Sequence, residues 1–469
     1  MAQKNDLEAA VVEARKAVQF SKNDPEAYRS LGRVLSFRHD FNGAADALLR
    51  ASQLAPDSGQ IHDELGSVLA QASRFDEAVT EFSSALRLQP DFAAARLHLG
   101  VLQLQQKQYS GAAENLREAA RLAPNDPVAH SYLSQVLEAS GDSRGAIQEL
   151  QSALHLQPAN AGMQNRLGLL LQRSGDAEGA LGAFRDAVRL QPTNASFHNN
   201  LGLALIATGH ADAAIPEFES ALGLIPDPGY RGNLGIAYLQ KADFEAAIAQ
   251  FETALRTTPD DATLHYNLGL ALKFKDELNA AVSEFQRAAA LNPRQPDIHY
   301  SLGVTFWQQG DFEAAARELN QTIEIKPDYA EAYYTLGSVQ KQQGKLVEAV
   351  ANLRKAIELE PDFAGAHTTL AGVLRQQGDS KGAAAEMRLA QQISKDKTSL
   401  QAAVLNTNAG RRLLDAGEVD GAITQFRAAI DLKPDYGPAH FQLARALSAK
   451  GQSAEAQEER RKAAELGHP

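Results

Sequence analysis

The stretch PEAYRSLGRVLSFRHDFNGAADALLRASQLAPDS, residues 25–58, is followed by GQIHDELGSVLAQASRFDEAVTEFSSALRLQPDF, residues 59–92. Aligned without a gap, they place Tyr28 on His62, Leu31 on Leu65, Gly32 on Gly66 and Leu35 on Leu69. Further along, Ala44 meets Ala78, Leu48 meets Phe82, Ala51 meets Ala85 and Pro56 meets Pro90. A fixed period of about 34 residues announces an array of repeated units stacked on their neighbours. The same offsets recur to the end of the 469-residue chain. Twelve units begin at Pro25, Gly59, Ala93, Pro127, Ala161, Ala195, Pro228, Ala262, Pro296, Ala330, Ala364 and Ala403, and the thirteenth runs from Gly437 to Pro469. Before them, Asp6 to Phe20 matches only the second half of a unit, with Ala10, Ala14 and Ala17 at its small-residue positions.

Within a unit, Leu at position 7, a small residue at 8 and Leu or an aromatic at 11 form one helical stripe. A Gly near position 15, such as Gly141, Gly175, Gly310 and Gly344, stops that helix. Ala at 20, Phe or Leu at 24 and Ala at 27 mark a second helix, and Pro at 32 ends it. Each unit therefore reads as helix-turn-helix, with small residues letting helices approach and larger ones filling the remaining space.

This pattern resembles the tetratricopeptide repeat family, continuously over residues 25–469. The resemblance implies an all-α, right-handed superhelical solenoid of thirteen units plus an N-terminal half-repeat, with first helices lining the concave face. The expected segments are residues 1–24, the half-repeat; 25–227, units 1–6; 228–397, units 7–11; and 398–469, an insertion with units 12 and 13. The sixth unit is one residue short and carries Pro216 early in its second helix, where a change of local twist is expected. Lys395 replaces Pro at the end of unit 11, and five extra residues, Thr398 to Ala402, follow; they should lengthen the next first helix or form a hinge. The last helix, containing Glu458-Glu459-Arg460-Arg461-Lys462, reads as a polar cap.

The formal charge of −12 disfavours unspecific attraction to nucleic acid or anionic membrane. There is no cysteine, which excludes disulfides and thiol chemistry. No apolar run reaches the roughly 20 residues of a bilayer span. Met1 to Asp6 lacks a secretory core, so the expectation is a cytoplasmic chain, or a periplasmic or secreted one if a signal preceded Met1. No phosphate-binding, dinucleotide, nucleophile-elbow or HExxH pattern occurs, so neither catalysis nor a cofactor is expected. Seven histidines, His62, His130, His198, His265, His299, His367 and His440, share position 4 and read as packing residues. A zinc site needs its nitrogens about 2.0–2.1 Å from one ion, and successive repeats are far too widely spaced for that.

Candidate binding residues lie opposite the packing stripe, at positions 2, 5, 6, 9, 12 and 13. Asn200, Asn233 and Asn267 share position 6, with Asn165 and Asn199 nearby at position 5. Tyr266, Tyr300 and Tyr334 follow at position 5, and Trp307, the only tryptophan, is at position 12. An asparagine row can pair with the backbone of an extended peptide without reading its sequence. Tyr and Trp offer large contact area at low entropic cost. The asparagine row also resembles the ladder in the repeat region of O-linked N-acetylglucosamine transferases, although no glycosyltransferase domain follows. The Lys/Asn carboxylate clamp of chaperone adaptors is not assembled. These residues point to a non-enzymatic scaffold for an extended peptide or protein segment. The alternatives are a self-assembling solenoid and the recognition arm of an enzyme encoded elsewhere.

Overall fold

The computed structural model describes residues 2–468, with side chains from residue 7 onward. Met1 and the side chains up to Asp6, where a leader was sought, lie outside that description. Among the described residues every regular element is an α-helix, and no helix is long and apolar enough to cross a membrane. Each unit folds as the expected pair, for example Ala195–Ala207 with Ala211–Leu224, and Pro296–Gln309 with Phe312–Ile325. The helices fall into two compact units, Met1–Gln250 and Phe251–Pro469.

Local chemistry sets the ends of these helices. Asp24, Asp126 and Asp227 each precede a proline at the first helical position and accept backbone N–H groups of the opening turn. The turn inside each repeat needs a positive φ at position 15. Glycine supplies it in eight repeats, and His39, Ser73, Lys107, Ala242 and Asp276 adopt it in the other five. A side chain held there costs roughly 1–2 kcal/mol, a cost that the packing of both flanking helices offsets.

Packing follows the small–large alternation. In the first unit, Phe82, Phe184 and Phe218 are fully buried against Gly66, Gly168 and Gly202. In the second, Phe285 and Phe426 lie against Gly269 and Gly410 in the same way. A methyl on Gly202 would meet the Phe218 ring at 2.6 Å, so position 8 must be minimal wherever position 24 is aromatic. In both units the first helices of successive repeats approach one another, whereas second helices do not do so to the same degree. The first helices therefore lie on the inside of the curvature of each unit, and their outward residues form a concave face.

Two irregularities were anticipated. The helix Ala211–Leu224 runs through Pro216, which sits on its exposed side. The insertion makes no hinge: Ser380–Asp415 is one 36-residue helix, joining the second helix of repeat 11 to the first of repeat 12. No Gly or Pro interrupts residues 383–409. The sequence also relaxes the packing faces here. Gln391 stands where every other repeat but the first places an apolar residue, Arg412 replaces a buried one, and both are exposed. Leu405, whose counterparts elsewhere are mostly buried, is 70% exposed.

Candidate interaction surface

Three contacts recur by repeat position, and together they build the concave face. The first ties position 4 to the second helix of its own repeat. In all seven position-4 histidines, Nδ1 lies 2.5–2.8 Å from a glutamate nineteen residues on. Nε2 lies 2.8–3.2 Å from the carbonyl of the proline six residues before. The histidines are thus more than packing residues, since each joins both helices of its repeat to the preceding junction. Both neighbours are acceptors, so both hydrogen bonds form only when the ring carries two protons. The hydrogen bond to Glu318 accordingly raises the His299 pKa, helped by the Pro293 carbonyl and opposed by burial. Burial works to raise the Glu459 carboxyl, but Lys462 and His440 hold it below the usual range. Arg96 with Asn115 and Arg231 with Gln250 occupy the same two positions at 3.0 Å.

The second contact joins position 5 of one repeat to position 6 of the next. Asn200 Nδ2 donates to Asn165 Oδ1 at 2.9 Å, and Asn233 Nδ2 donates to Asn199 Oδ1 at 2.8 Å. The Tyr266 hydroxyl accepts from Ser301 at 3.4 Å, and the Tyr300 hydroxyl lies 3.5 Å from Thr335 Oγ1. Near the N-terminus the same rung is ionic. Arg29 donates twice to Glu64, which Arg33 also contacts, and His98 Nδ1 lies 2.8 Å from Asp63 Oδ1.

The third joins position 12 to position 13 of the next repeat. Trp307 Nε1 donates to Gln342 Oε1 at 2.9 Å. Arg173 closes on Glu138, which Arg166 also contacts. Burial works to raise the Glu138 carboxyl, but the two arginines hold it below the usual range.

In the first unit, Asn165, Asn199, Asn200 and Asn233 are half-buried and form two self-paired rungs. In each rung the unused amide of one asparagine and the unused oxygen of the other have no second protein partner among the described residues. In the second unit, Tyr266 leans on Phe285, Tyr300 stacks on Tyr329 with ring centres 5.2 Å apart, and Tyr334 packs on Phe363 at 4.8 Å. The Tyr329 hydroxyl donates to Asp297 at 3.0 Å. Burial, then Asp297, push its pKa up, and burial does the same for Tyr266 and Tyr300. Trp307 is half-buried beside them, and Asn267 makes no side-chain hydrogen bond among those described.

An apolar floor lies between the rungs, at a position outside the polar and aromatic rows. Position 9 is aliphatic in repeats 5 to 9, as Leu169, Leu203 and Ile236 in the first compact unit and Leu270 and Val304 in the second. Leu169 and Leu203 remain 38% and 37% exposed, on the face where the asparagine rungs lie. The available signal was an aliphatic residue recurring at a position outside the packing stripe. Among the described residues no group of side chains is arranged to hold a metal ion.

Models of the tetratricopeptide repeat match residues 29–87, 64–127, 133–195, 165–230, 330–363 and 413–464, and a TPR repeat model matches 233–273, 275–310 and 305–344. The chain belongs to the tetratricopeptide repeat family. No curated protein sequence matches it. Solved structures resemble parts of it. MamA from Desulfovibrio magneticus RS-1 is 24% identical over 36% of this chain and 96% of its own, with a TM-score of 0.34. YrrB, described as a TPR protein with an unusual peptide-binding site, is 20% identical over 40% of this chain and 96% of its own, with a TM-score of 0.37. Pseudomonas aeruginosa pilF is 19% identical over 46% and 98%, with a TM-score of 0.41. Tetratricopeptide repeats are protein-interaction scaffolds in general, and protein partners are the class this membership implies.

Proposed function

We propose that the protein is a non-catalytic scaffold that holds an extended protein segment against the concave first-helix faces. The asparagine rungs and leucine floor of the first unit would grip backbone and apolar side chains. The Tyr266, Tyr300, Tyr334 and Trp307 surface of the second unit would serve as a separate aromatic contact area. Asn267 is included as a polar contact without an internal partner.

One observation carries this reading: each asparagine rung satisfies itself with one donor and one acceptor and keeps one of each, beside exposed Leu169 and Leu203. A peptide backbone presents the complementary pair at every residue. The test is affinity capture from source lysate with the full chain and with a variant carrying Asn200→Ala, Asn233→Ala, Tyr300→Ala and Trp307→Ala. Loss of a specific partner supports the reading, and undiminished recovery removes these residues from the site.

Self-association is the second reading, and it has its own observation. Val12 and Phe20 on the half-repeat helix are 50% and 89% exposed. Sedimentation at rising concentration separates the two, because a strictly monomeric chain leaves only the first.

A further inference from the structure

The first helices of repeats 2, 3 and 4 (Gly59–Gln71, Ala93–Gln105 and Pro127–Ala139) line an open-mouthed cavity of about 280 Å³ on the concave face of the first unit. Its walls are largely apolar: Leu97, Val101, Val128 and Tyr132, with the Phe82 ring at its base. His98 lies between this cavity and a second of about 210 Å³ on the N-terminal side. A cavity this size is below the usual small-molecule range and suits one side chain of a bound segment.

The chemistry of the wall selects that side chain. Asp63 is only 6% exposed, and its one described partner is Nδ1 of His98 at 2.8 Å. A buried carboxylate needs a donor, so the ring proton belongs on Nδ1, where the Ser67 hydroxyl also approaches to 3.3 Å. In the neutral ring Nε2 is then an acceptor, and it has no protein partner among the described residues. An unpartnered ring acceptor beside these apolar walls, with Ser67, Gln71 and Gln105 also in the lining, fits a flat apolar ring that carries one N–H or O–H.

We infer that this cavity is an anchor pocket for a tyrosine or tryptophan side chain of the bound segment, its hydroxyl or indole N–H donating to His98 Nε2. The inference rests on the groove reading above and adds the identity of one contact. Phenylalanine would fill the same space and leave Nε2 unpaired, so the pocket discriminates by the hydrogen bond alone.

The test uses the full chain with isotope-labelled histidine, titrated with N-acetyl-L-tyrosinamide, N-acetyl-L-tryptophanamide and N-acetyl-L-phenylalaninamide. In the free protein the neutral His98 ring should carry its proton on Nδ1. The first two probes should shift the His98 signals saturably, and the phenylalanine probe should bind about tenfold more weakly, the ratio for one hydrogen bond. In Asp63→Asn the carboxamide can donate to Nδ1 and drive the proton to Nε2, which abolishes the preference for the tryptophan probe, whose indole N–H can only donate, while a tyrosine hydroxyl can still accept. His98→Phe keeps a ring in the wall and should also bring the ratio to about one. Equal binding of all three probes, no saturable shift, or a preference that survives both substitutions would each overturn the anchor. Such a failure leaves the groove reading standing if the capture experiment still depends on Asn200 and Tyr300; failure of capture removes the groove whatever the probes do.

Discussion

Asn200 donates through Nδ2 to Oδ1 of Asn165, one repeat away, at 2.9 Å. The pair links two first helices and leaves the Asn165 amide and the Asn200 oxygen without a protein partner among the described residues. Asn200→Ala should therefore cost little stability, about 1 kcal/mol, because both residues are only half-buried and water can reach Asn165. Partner capture should fall far more than that stability loss would explain. Denaturant melts run beside the capture assay check both outcomes.

Stability should also depend on pH through His299. Its folded-state pKa is raised, chiefly by the hydrogen bond to Glu318. A raised histidine contributes stability that is complete below its unfolded value of about 6.5 and disappears as pH rises through the folded value. Glu318→Gln should lower stability at pH 6 by about 1 kcal/mol and flatten that part of the pH profile. Thermal melts of both proteins across pH 5.5 to about 8.5 read the difference.

Two glycines that look alike in sequence should behave oppositely. Gly202→Ala drives a methyl to 2.6 Å from the fully buried Phe218 ring and should cost about 1–3 kcal/mol. Gly372→Ala meets only the flexible end of Lys341 at 3.3 Å. There, helix propensity should make the change neutral or stabilising by up to about 1 kcal/mol. Chemical denaturation of the two variants decides it.

The fused helix Ser380–Asp415 predicts a fixed distance across the insertion. Spin labels at Leu389 and Leu405 should report one narrow distribution near 24 Å, sixteen residues at 1.5 Å each. Lys395→Pro restores the residue that ends this helix in other repeats and should break the rod, at about 3 kcal/mol, with a broadened distribution. An unchanged distribution would contradict a continuous helix.

The helix pairs were legible because Leu-Gly, Ala, Phe and Pro recur where close packing and helix ends demand them. The position-15 turn was legible from glycine in eight repeats, but Ala242 and Lys107 gave no sign of it, because their strain is offset by tertiary packing. The insertion was legible as a departure, while its outcome depended on the missing proline at Lys395 and the polar Gln391 and Arg412, weak cues taken singly. Asn165, Asn199, Asn200 and Asn233 were legible as a recurrence at positions 5 and 6. Their pairing was hidden, since a step from position 5 to position 6 of the next repeat follows from stacking geometry and not from a spacing along one helix. The His98–Asp63 rung was invisible for the same reason.

The central claim is that a protein segment lies against the first-helix face. Photo-crosslinking tests it most directly, with benzoylphenylalanine placed in the full chain at Leu203, on that face, or at Ser220, exposed on the second helix of the same repeat. The account predicts a partner adduct from position 203 and none from position 220. Adducts from position 220 alone would place the partner on the outer surface and contradict it.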